Sequence, residues 1–299
     1  MREINVANFL QKVKTVTLNP AMLILYIKWF LNKRLGLDPK LKILNFGHIG
    51  HIRHFSEFIF VKDNIDEMKY GGKIALIRHV LSKADKGAVF DIGANVGVYS
   101  IAMAGIDKGN VVYAFEPTPS TLLILRKNLV DNRLKDVIIE PLAVSNICGS
   151  IKFLDGLDSP CQNKIQISQN KHFEDSTGLI EVETVTLDRY CSDRGIGYIK
   201  FLKIDIEGAE LHALYGAKDL LSTKRIGALL IEVIPLAIEN MGLKIESLFD
   251  YMHSKGYNFF AVECDGMIGK ELLLSDIKKI EQEDVIILSP TLKAKFMKP

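Results

Sequence analysis

The sequence contains few cysteines, and no two of them are spaced as a pair of metal ligands. Cys148, Cys161, Cys191 and Cys264 lie far apart and form no CxxC motif. Such spacing is typical neither of a disulfide framework nor of a zinc site. The sequence also opens without the basic segment, apolar run and small-residue cleavage site of a secretory signal. We therefore expect a cytoplasmic protein with reduced thiols.

The sequence also lacks an apolar run long enough to cross a bilayer. Its most apolar stretch, residues 21–31, is interrupted by Lys28 and falls well short of the ~20 residues that a spanning helix needs. With Trp29 at the interface, this stretch would suit peripheral contact with a membrane surface. We expect instead that it packs on the body of the protein or on a second copy in a homo-oligomer, and membrane contact is the alternative.

A large charge excess is absent as well. The 38 basic and 36 acidic side chains nearly cancel, which gives a net charge of +2. There is no basic stripe interleaved with aromatic residues and no Asn-Pro-Pro-Tyr-like tetrad. We therefore expect neither nucleic-acid binding nor methylation of a nucleic acid base. A small-molecule or glycan partner agrees with this composition.

The most informative stretch is AVFDIGANVGVYS at residues 88–100. A short apolar run ends in Asp91, Gly93 and Gly97 follow four positions apart, and a helical apolar pattern then begins. Glycine permits a sharp turn and a close approach of ligand to backbone, and such a turn at the start of a helix is a common nucleotide-binding device. The pattern predicts a strand, a tight turn and a helix.

The acid at the end of this strand favours one class of cofactor. A dinucleotide presents a pyrophosphate, which the carboxylate of Asp91 would repel. S-adenosylmethionine presents a sulfonium and an amino group, which are both cationic. A second acid, Glu116, ends the next apolar run at 111–115, where a carboxylate can accept hydrogen bonds from both ribose hydroxyls. The two acids favour S-adenosylmethionine, and a turn that binds no ligand is the alternative.

Apolar runs and helical patterns alternate through most of the chain, as they do in a parallel sheet with helices on both faces. The predicted strands are residues 88–91, 111–116, 137–140, 198–205, 228–233, 257–263 and 284–288. We predict an α/β fold with a Rossmann-like, seven-stranded sheet that is mostly parallel and has an antiparallel last strand. Its ligand would bind at the carboxyl ends of the strands.

Two regions depart from this alternation. Residues 1–65 are predicted to form a helical N-terminal appendage, and residues 66–299 the main domain. Residues 142–186 are predicted to be an insertion, with a hairpin around Cys148-Gly149, a half-buried strand and a polar loop at 155–178. We expect acceptor recognition in that loop, and a disordered segment is the alternative.

Three histidines in the appendage are spaced three residues apart. They are His48, His51 and His54. On a helix this spacing does not hold all three side chains well on one face. Surface or half-buried histidines are therefore expected there in preference to a metal site.

With these residues placed, the chain resembles the FkbM-type S-adenosylmethionine-dependent methyltransferases. The matching stretches are FDIGANVG at 90–97, AFEP at 114–117, TLD at 186–188 and LKIDIEGAE at 202–210. The resemblance spans about residues 87–235 and does not include residues 1–65. It implies O-methylation of a hydroxyl on a sugar, a glycan or a secondary metabolite.

The resemblance also implies a set of cofactor contacts. The residues expected to bind the cofactor are Asp91, Gly93, Asn95, Gly97, Glu116, Pro117, Glu140, Ala143 and Asp205. The first four would line the methionine end and Glu116 the ribose. Glu140 and Ala143 would lie near the adenine, although an aspartate is often found in that region and this sequence has none.

Methyl transfer to a hydroxyl requires alignment of donor and acceptor and removal of the hydroxyl proton. The expected catalytic residues are Asp205, Glu207, His212 and Glu232, with Asp205 as the first candidate for the base. For His212 and for nearby Glu210, helix-start electrostatics and surface exposure are an equal alternative. Asp205 and Glu232 could also hold Mg²⁺ through oxygen ligands, although we assign no metal ligand.

Two other functions stay open at this point. One is a non-catalytic S-adenosylmethionine-binding module on the same sheet, which the acids that follow Lys203 disfavour. The other is an NAD-dependent oxidoreductase, which Asp91 and the GxxxG spacing disfavour.

Overall fold

The computed structural model describes residues 29, 41–43, 47–49, 72–106, 109, 111–154, 164–165 and 179–297. Most of the predicted appendage and the loop at 155–178 lie outside these residues. The predictions about residues 21–31, His51, His54 and loop-based acceptor recognition therefore stay predictions, apart from the placement of Trp29 described below.

The described part of the main sheet contains eight strands, and all seven predicted strands are among them. In chain order they are β3 (Ala88–Ile92), β4 (Val112–Phe115), β5 (Val137–Glu140), β10 (Ile199–Ile204), β11 (Ile226–Val233), β12 (Asn258–Val262), β13 (Ile268–Leu272) and β14 (Glu283–Leu288). Their spatial order is β13-β12-β14-β11-β10-β3-β4-β5. The five strands from β11 to β5 are parallel to one another, and β14 is antiparallel to its neighbours. The eighth strand, β13, is an antiparallel edge strand that the sequence pattern did not indicate.

Helices cover both faces of this sheet, as the sequence predicts. One face packs against α1 (Lys73–Lys83), α2 (Val98–Ile106), α3 (Pro119–Asp131) and α10 (Pro290–Phe296). The other packs against α4 (Leu187–Asp193), α5 (Glu210–Tyr215), α6 (Lys218–Ser222), α7 (Pro235–Asn240), α8 (Ile245–Ser254) and α9 (Leu274–Ile277). Because successive strand residues point to opposite faces, each central strand contributes to two separate cores, as Val89 and Phe90 do. Within the described parts of the chain, every helix is too short or too polar to span a bilayer.

The insertion forms a second sheet, and its pairing corrects the predicted hairpin. The strands are β6 (Ala143–Val144), β7 (Gly149–Leu154), β8 (Lys164–Ile165) and β9 (Leu179–Val185), in the order β6-β9-β7-β8. β9 lies between β6 and β7 and pairs with both of them. The two runs around Cys148-Gly149 are therefore strands, but they do not pair with each other. Apolar and polar residues alternate along the long strand β9, which pairs with one run on each of its two edges, and β6 runs parallel to β9.

The described N-terminal residues pack on the main domain. The strands β1 (Leu41–Ile43) and β2 (Gly47–Ile49) form an antiparallel pair that contacts α2. Ile49 is fully buried in the same core cluster as α2, and half-buried Trp29 packs against that cluster. His48 lies in β2, where its partner in the strand register is Lys42.

Candidate functional site

Acidic residues from separate parts of the chain meet at the carboxyl edge of the parallel strands. The register aligns Ile92 of β3 with Ile204 of β10, and Ile204 with Ile231 of β11. The next positions along these strands are Gly93, Asp205 and Glu232. Parallel strands end at a common edge, so the structure brings Asp91, Asp205 and Glu232 to one side of the sheet, as the sequence predicts.

The turn after β3 is fixed from two sides. The N–H groups of Gly93 and Ala94 both donate to the carbonyl of Phe115, at 3.0 and 2.9 Å. Gly93 has a φ of +80°, and a Cβ there would lie 2.0 Å from the carbonyl oxygen of Asp205. Only glycine therefore allows this turn to approach the backbone after β10 so closely. The contact joins the predicted cofactor turn to the predicted catalytic acid.

Glu116 holds the other side of the same turn. Its carboxylate is buried at the end of β4 and accepts the N–H of Asn95 at 3.1 Å and the N–H of Thr118 at 2.9 Å. Asn95 itself has a φ of +49°, which is uncommon for a residue with a side chain. Glu116 thus fixes the backbone of the turn, and Pro117 follows it in the connection to α3.

Asp91 and Asp205 share one buried cation, Lys203. The ammonium nitrogen of Lys203 lies 3.0 Å from Oδ2 of Asp205 and 3.9 Å from Oδ1 of Asp91, and 4.4 Å from the centre of the Tyr99 ring. Ser100 donates to the other oxygen of Asp91 at 2.6 Å. The side chain of Asp91 is 0% exposed, whereas that of Asp205 is 29% exposed. Of the two carboxylates, Asp205 is therefore the one that a ligand can reach directly.

Burial and pairing act in opposite directions on these groups. Burial raises the pKa of Asp91 above its ordinary value, although Lys203 and the Ser100 hydroxyl favour the ionised form. Burial alone would lower the pKa of Lys203, but Asp205 and Asp91 outweigh it, and the pKa of Lys203 is raised. Lys203 therefore carries a full positive charge at neutral pH.

A second group of charges adjoins the first on the same face. Lys73, from the first turn of α1, forms an ion pair with Asp284 of β14, and Asp284 lies beside Glu232 in the strand register. Gln282 donates to Glu232 at 2.7 Å. Burial raises the pKa of Glu232, and the negative charge of Asp205 adds to this rise. Lys73 thus brings the first turn of α1 beside these acids.

The geometry gives no support to the Mg²⁺ alternative. Asp205 is hydrogen-bonded to Lys203, and Glu232 to Gln282. Among the residues that the structure describes, no group of three or more His, Cys, Asp or Glu side chains is arranged to hold a metal ion.

The segment after Asp205 is held by Glu210, which is buried, so surface exposure, the alternative expected from the sequence, is wrong for this residue. Its Oε1 accepts the N–H groups of Ile206 and Gly208, each at 3.1 Å, and its side chain is buried. Burial raises the pKa of Glu210 to about 7. Glu207 lies in this turn with a φ of +57°. Glu210 therefore sets the backbone that carries both Asp205 and Glu207.

His212 lies on α5, two residues beyond Glu210. It is half-buried, and burial lowers its pKa. Its Nδ1 is buried without a hydrogen-bond partner in the described part of the chain. No described hydrogen bond or ion pair links it to Asp205, so its catalytic assignment stays a prediction.

Glu140, at the end of β5, and Ala143, in β6, are both held by contacts within the protein. Glu140 accepts a hydrogen bond from the Tyr190 hydroxyl at 2.9 Å and pairs with Arg194 at 2.8 Å. Ala143 is buried in the small core of the second sheet with Phe153 and Val182. These contacts account for the burial of both residues, and their assignment to the adenine stays a prediction.

The site fits a cationic ligand. Four carboxylates face two ammonium groups in it, so its formal charge is negative. Oδ1 of Asp91 and Oδ1 of Asn95 are buried and have no hydrogen-bond partner among the described residues. Unsatisfied buried acceptors are costly, and a positive charge nearby lowers that cost. A sulfonium and an ammonium group are complementary to such a site, whereas a pyrophosphate is not.

Comparison with known proteins gives a family match across this region. The model of the methyltransferase FkbM domain matches residues 91–259, which is more than half of the 299-residue chain. The match begins at Asp91 and includes Asp205 and Glu232.

Three curated relatives are each 28% identical over the aligned residues. The 31-O-demethyl-FK506 methyltransferase FkbM of Streptomyces tacrolimicus aligns over 48% of this chain and 64% of its own length. For the 2-O-methyltransferase NoeI of Sinorhizobium fredii the values are 49% and 63%, and for the hexuronic acid methyltransferase AglP of Haloferax volcanii 51% and 59%. The chain thus spans less than two thirds of the length of these relatives.

Proposed function

The chain belongs to the methyltransferase FkbM domain family, and we propose that it is an S-adenosylmethionine-dependent O-methyltransferase. The acceptor would be a hydroxyl of a sugar, a glycan or a secondary metabolite. The observation that carries the proposal is the negatively charged group of Asp91, Asp205 and Glu232 beside a glycine turn at the carboxyl edge of the sheet.

The cofactor would be held by the turn and by the acids that flank it. Bound S-adenosylmethionine supplies a methyl group activated by a cationic sulfur. Gly93, Asn95 and Gly97 shape the turn, and Glu116 fixes it through two backbone N–H groups. Asp91 contributes charge from a fully buried position, so it attracts a cation through its field.

Asp205 is the residue best placed to remove the hydroxyl proton. It is partly exposed, it follows the central strand β10, and Lys203 fixes one of its oxygens. A carboxylate held in this way can accept a proton from an acceptor hydroxyl as the methyl group is transferred. Glu232 lies on the neighbouring strand, and its raised pKa makes it the second candidate.

The names of the relatives support an oxygen acceptor. They include a 2-O-methyltransferase and a hexuronic acid methyltransferase. We therefore place sugar hydroxyls first among acceptors and hydroxyls of secondary metabolites second.

The proposal is tested by transfer of a labelled methyl group from S-adenosylmethionine to a panel of sugars, uronic acids and polyketide alcohols. Wild type is compared with Asp205→Asn and with Asp193→Asn, which changes an exposed aspartate of α4. We expect labelled product from wild type and from Asp193→Asn. Asp205→Asn should bind the cofactor but lose about 100-fold or more in turnover.

Two outcomes would contradict parts of this proposal. Normal turnover by Asp205→Asn would remove Asp205 from the role of base. Cofactor binding by wild type without transfer to any member of the panel would favour a non-catalytic binding module.

A further inference from the structure

Lys203 occupies an unusual place for a lysine. It lies in β10, at the centre of the main sheet, and is only 5% exposed. Lysine is almost never buried to this extent unless it is paired with acids, because removing an ammonium group from water is costly. Its partners are Asp205, two residues later on the same chain, and Asp91, which is aligned with it on β3.

The pairing of Lys203 is unequal. The ammonium group donates a hydrogen bond to Asp205 at 3.0 Å, whereas Oδ1 of Asp91 lies at 3.9 Å, beyond hydrogen-bond distance. That oxygen has no hydrogen-bond partner among the described residues, while Ser100 holds the other oxygen of Asp91. The single positive charge of Lys203 thus neutralises only part of the negative charge of the two carboxylates.

From this arrangement we propose that Lys203 is the positioning residue that sets the charge of the cofactor site. It orients the carboxylate of Asp205, and its positive charge offsets part of the negative field that Asp91 and Asp205 exert on a ligand. The inference rests on the proposed function, since it concerns how these residues receive S-adenosylmethionine.

A lysine that sets the charge of the site affects ligand binding in a way that a purely structural lysine does not. S-adenosylmethionine carries a positive sulfur, and S-adenosylhomocysteine carries a neutral one. The two ligands are otherwise closely similar, so the ratio of their dissociation constants reports the field at the site. Removing the charge of Lys203 makes the field more negative and strengthens binding of the cationic ligand relative to the neutral one.

The test is calorimetric titration of the full chain with both ligands at pH 8. Wild type is compared with Lys203→Met, Lys203→Arg and Asp205→Asn. The matched control is Lys200→Met, because Lys200 is 4% exposed on the same strand and lies about 10 Å further from the carboxyl edge. Thermal unfolding of each variant verifies that it is folded.

We expect Lys203→Met to shift the ratio about fivefold or more in favour of S-adenosylmethionine. Lys203→Arg should restore the wild-type ratio, because it restores the charge, and Lys200→Met should leave the ratio unchanged. Asp205→Asn should shift the ratio in the opposite direction, which verifies that the ratio reports the charge of the site. Lys203→Gln, which also removes the positive charge, replaces Lys203→Met if the latter does not fold.

The outcomes separate this inference from the function on which it rests. If wild type binds both ligands and the ratio is unchanged in Lys203→Met, or in Lys203→Gln where the former does not fold, the role of Lys203 is wrong and the proposed function stands. If wild type binds neither ligand, both are wrong.

Discussion

Replacing Glu210 with glutamine should remove a large part of the dependence of stability on pH. The Glu210 side chain is buried, and its Oε1 accepts hydrogen bonds from the N–H groups of Ile206 and Gly208. A glutamine side chain has nearly the same shape, and its amide oxygen can accept both hydrogen bonds. The substitution therefore removes the ionisation of the side chain and keeps its structural contacts.

The magnitude follows from the two pKa values. The ordinary pKa of a glutamate side chain is 4.5, and burial raises the pKa of Glu210 in the folded protein to about 7. Below pH 4.5 the side chain is protonated in both states. As the pH rises from there to about 7, the unfolded chain loses this proton first, so the folded state loses stability. The interval between the two values corresponds to a loss of about 3 kcal/mol, which is complete above pH 7.

The assay is denaturant unfolding of wild type and Glu210→Gln between pH 4 and pH 8. We expect the free energy of unfolding of the variant to gain about 3 kcal/mol relative to wild type over this range, because other titrating groups affect both proteins equally. Glu239→Gln, which changes an exposed glutamate of α7, is the surface control for the substitution. If the difference in free energy of unfolding between Glu210→Gln and wild type did not change with pH, Glu210 would not be a buried carboxylate that titrates in this range.

Two further predictions concern contacts that fix the backbone. Gly93→Ala should lower the free energy of unfolding by several kcal/mol, because the alanine Cβ would lie 2.0 Å from the carbonyl oxygen of Asp205. Gly242→Ala is the control, since Gly242 has a similar φ of +73° with open space around it, and it should cost only about 1 kcal/mol. Equal losses in the two variants would exclude the close contact at Gly93. Asp188→Ala should lower the free energy of unfolding by about 1–2 kcal/mol, because the carboxylate accepts the N–H groups of Asp219 and Leu220 at the start of α6. The same measurement on Asp193→Ala, at an exposed i,i+4 ion pair, should show a loss of less than about 0.5 kcal/mol, and a comparable loss would contradict the capping role.

The main sheet and the acids at its edge could be predicted because their signals are local. Each central strand is a short apolar run, and Asp91, Asp205 and Glu232 each stand at or just beyond the end of one. Parallel pairing then brings strand ends together whatever the length of the connections. The predicted strand bounds differ from those of the structure by at most two residues.

The contacts that the sequence did not indicate depend on register between distant segments. Lys203 lies in an apolar strand, and its burial makes sense only once Asp91 is aligned beside it on β3. Glu140 meets Tyr190, 50 residues later, and β9 separates two runs that looked like a hairpin. A lysine two residues before an acid within an apolar strand is the one sequence signal that could have indicated Lys203.

The proposed function depends on binding of S-adenosylmethionine by the turn after β3, at a site made negative by Asp91. The direct measurement is calorimetric titration of wild type, Asp91→Asn and the exposed-site control Asp250→Asn with S-adenosylmethionine, S-adenosylhomocysteine and NAD. We predict micromolar binding of the first two ligands by wild type and by the control, and no binding of NAD. Binding of S-adenosylmethionine to Asp91→Asn should be about tenfold weaker or more. Binding of neither of the first two ligands by wild type, or binding of NAD in their place, would show that the proposed function is wrong.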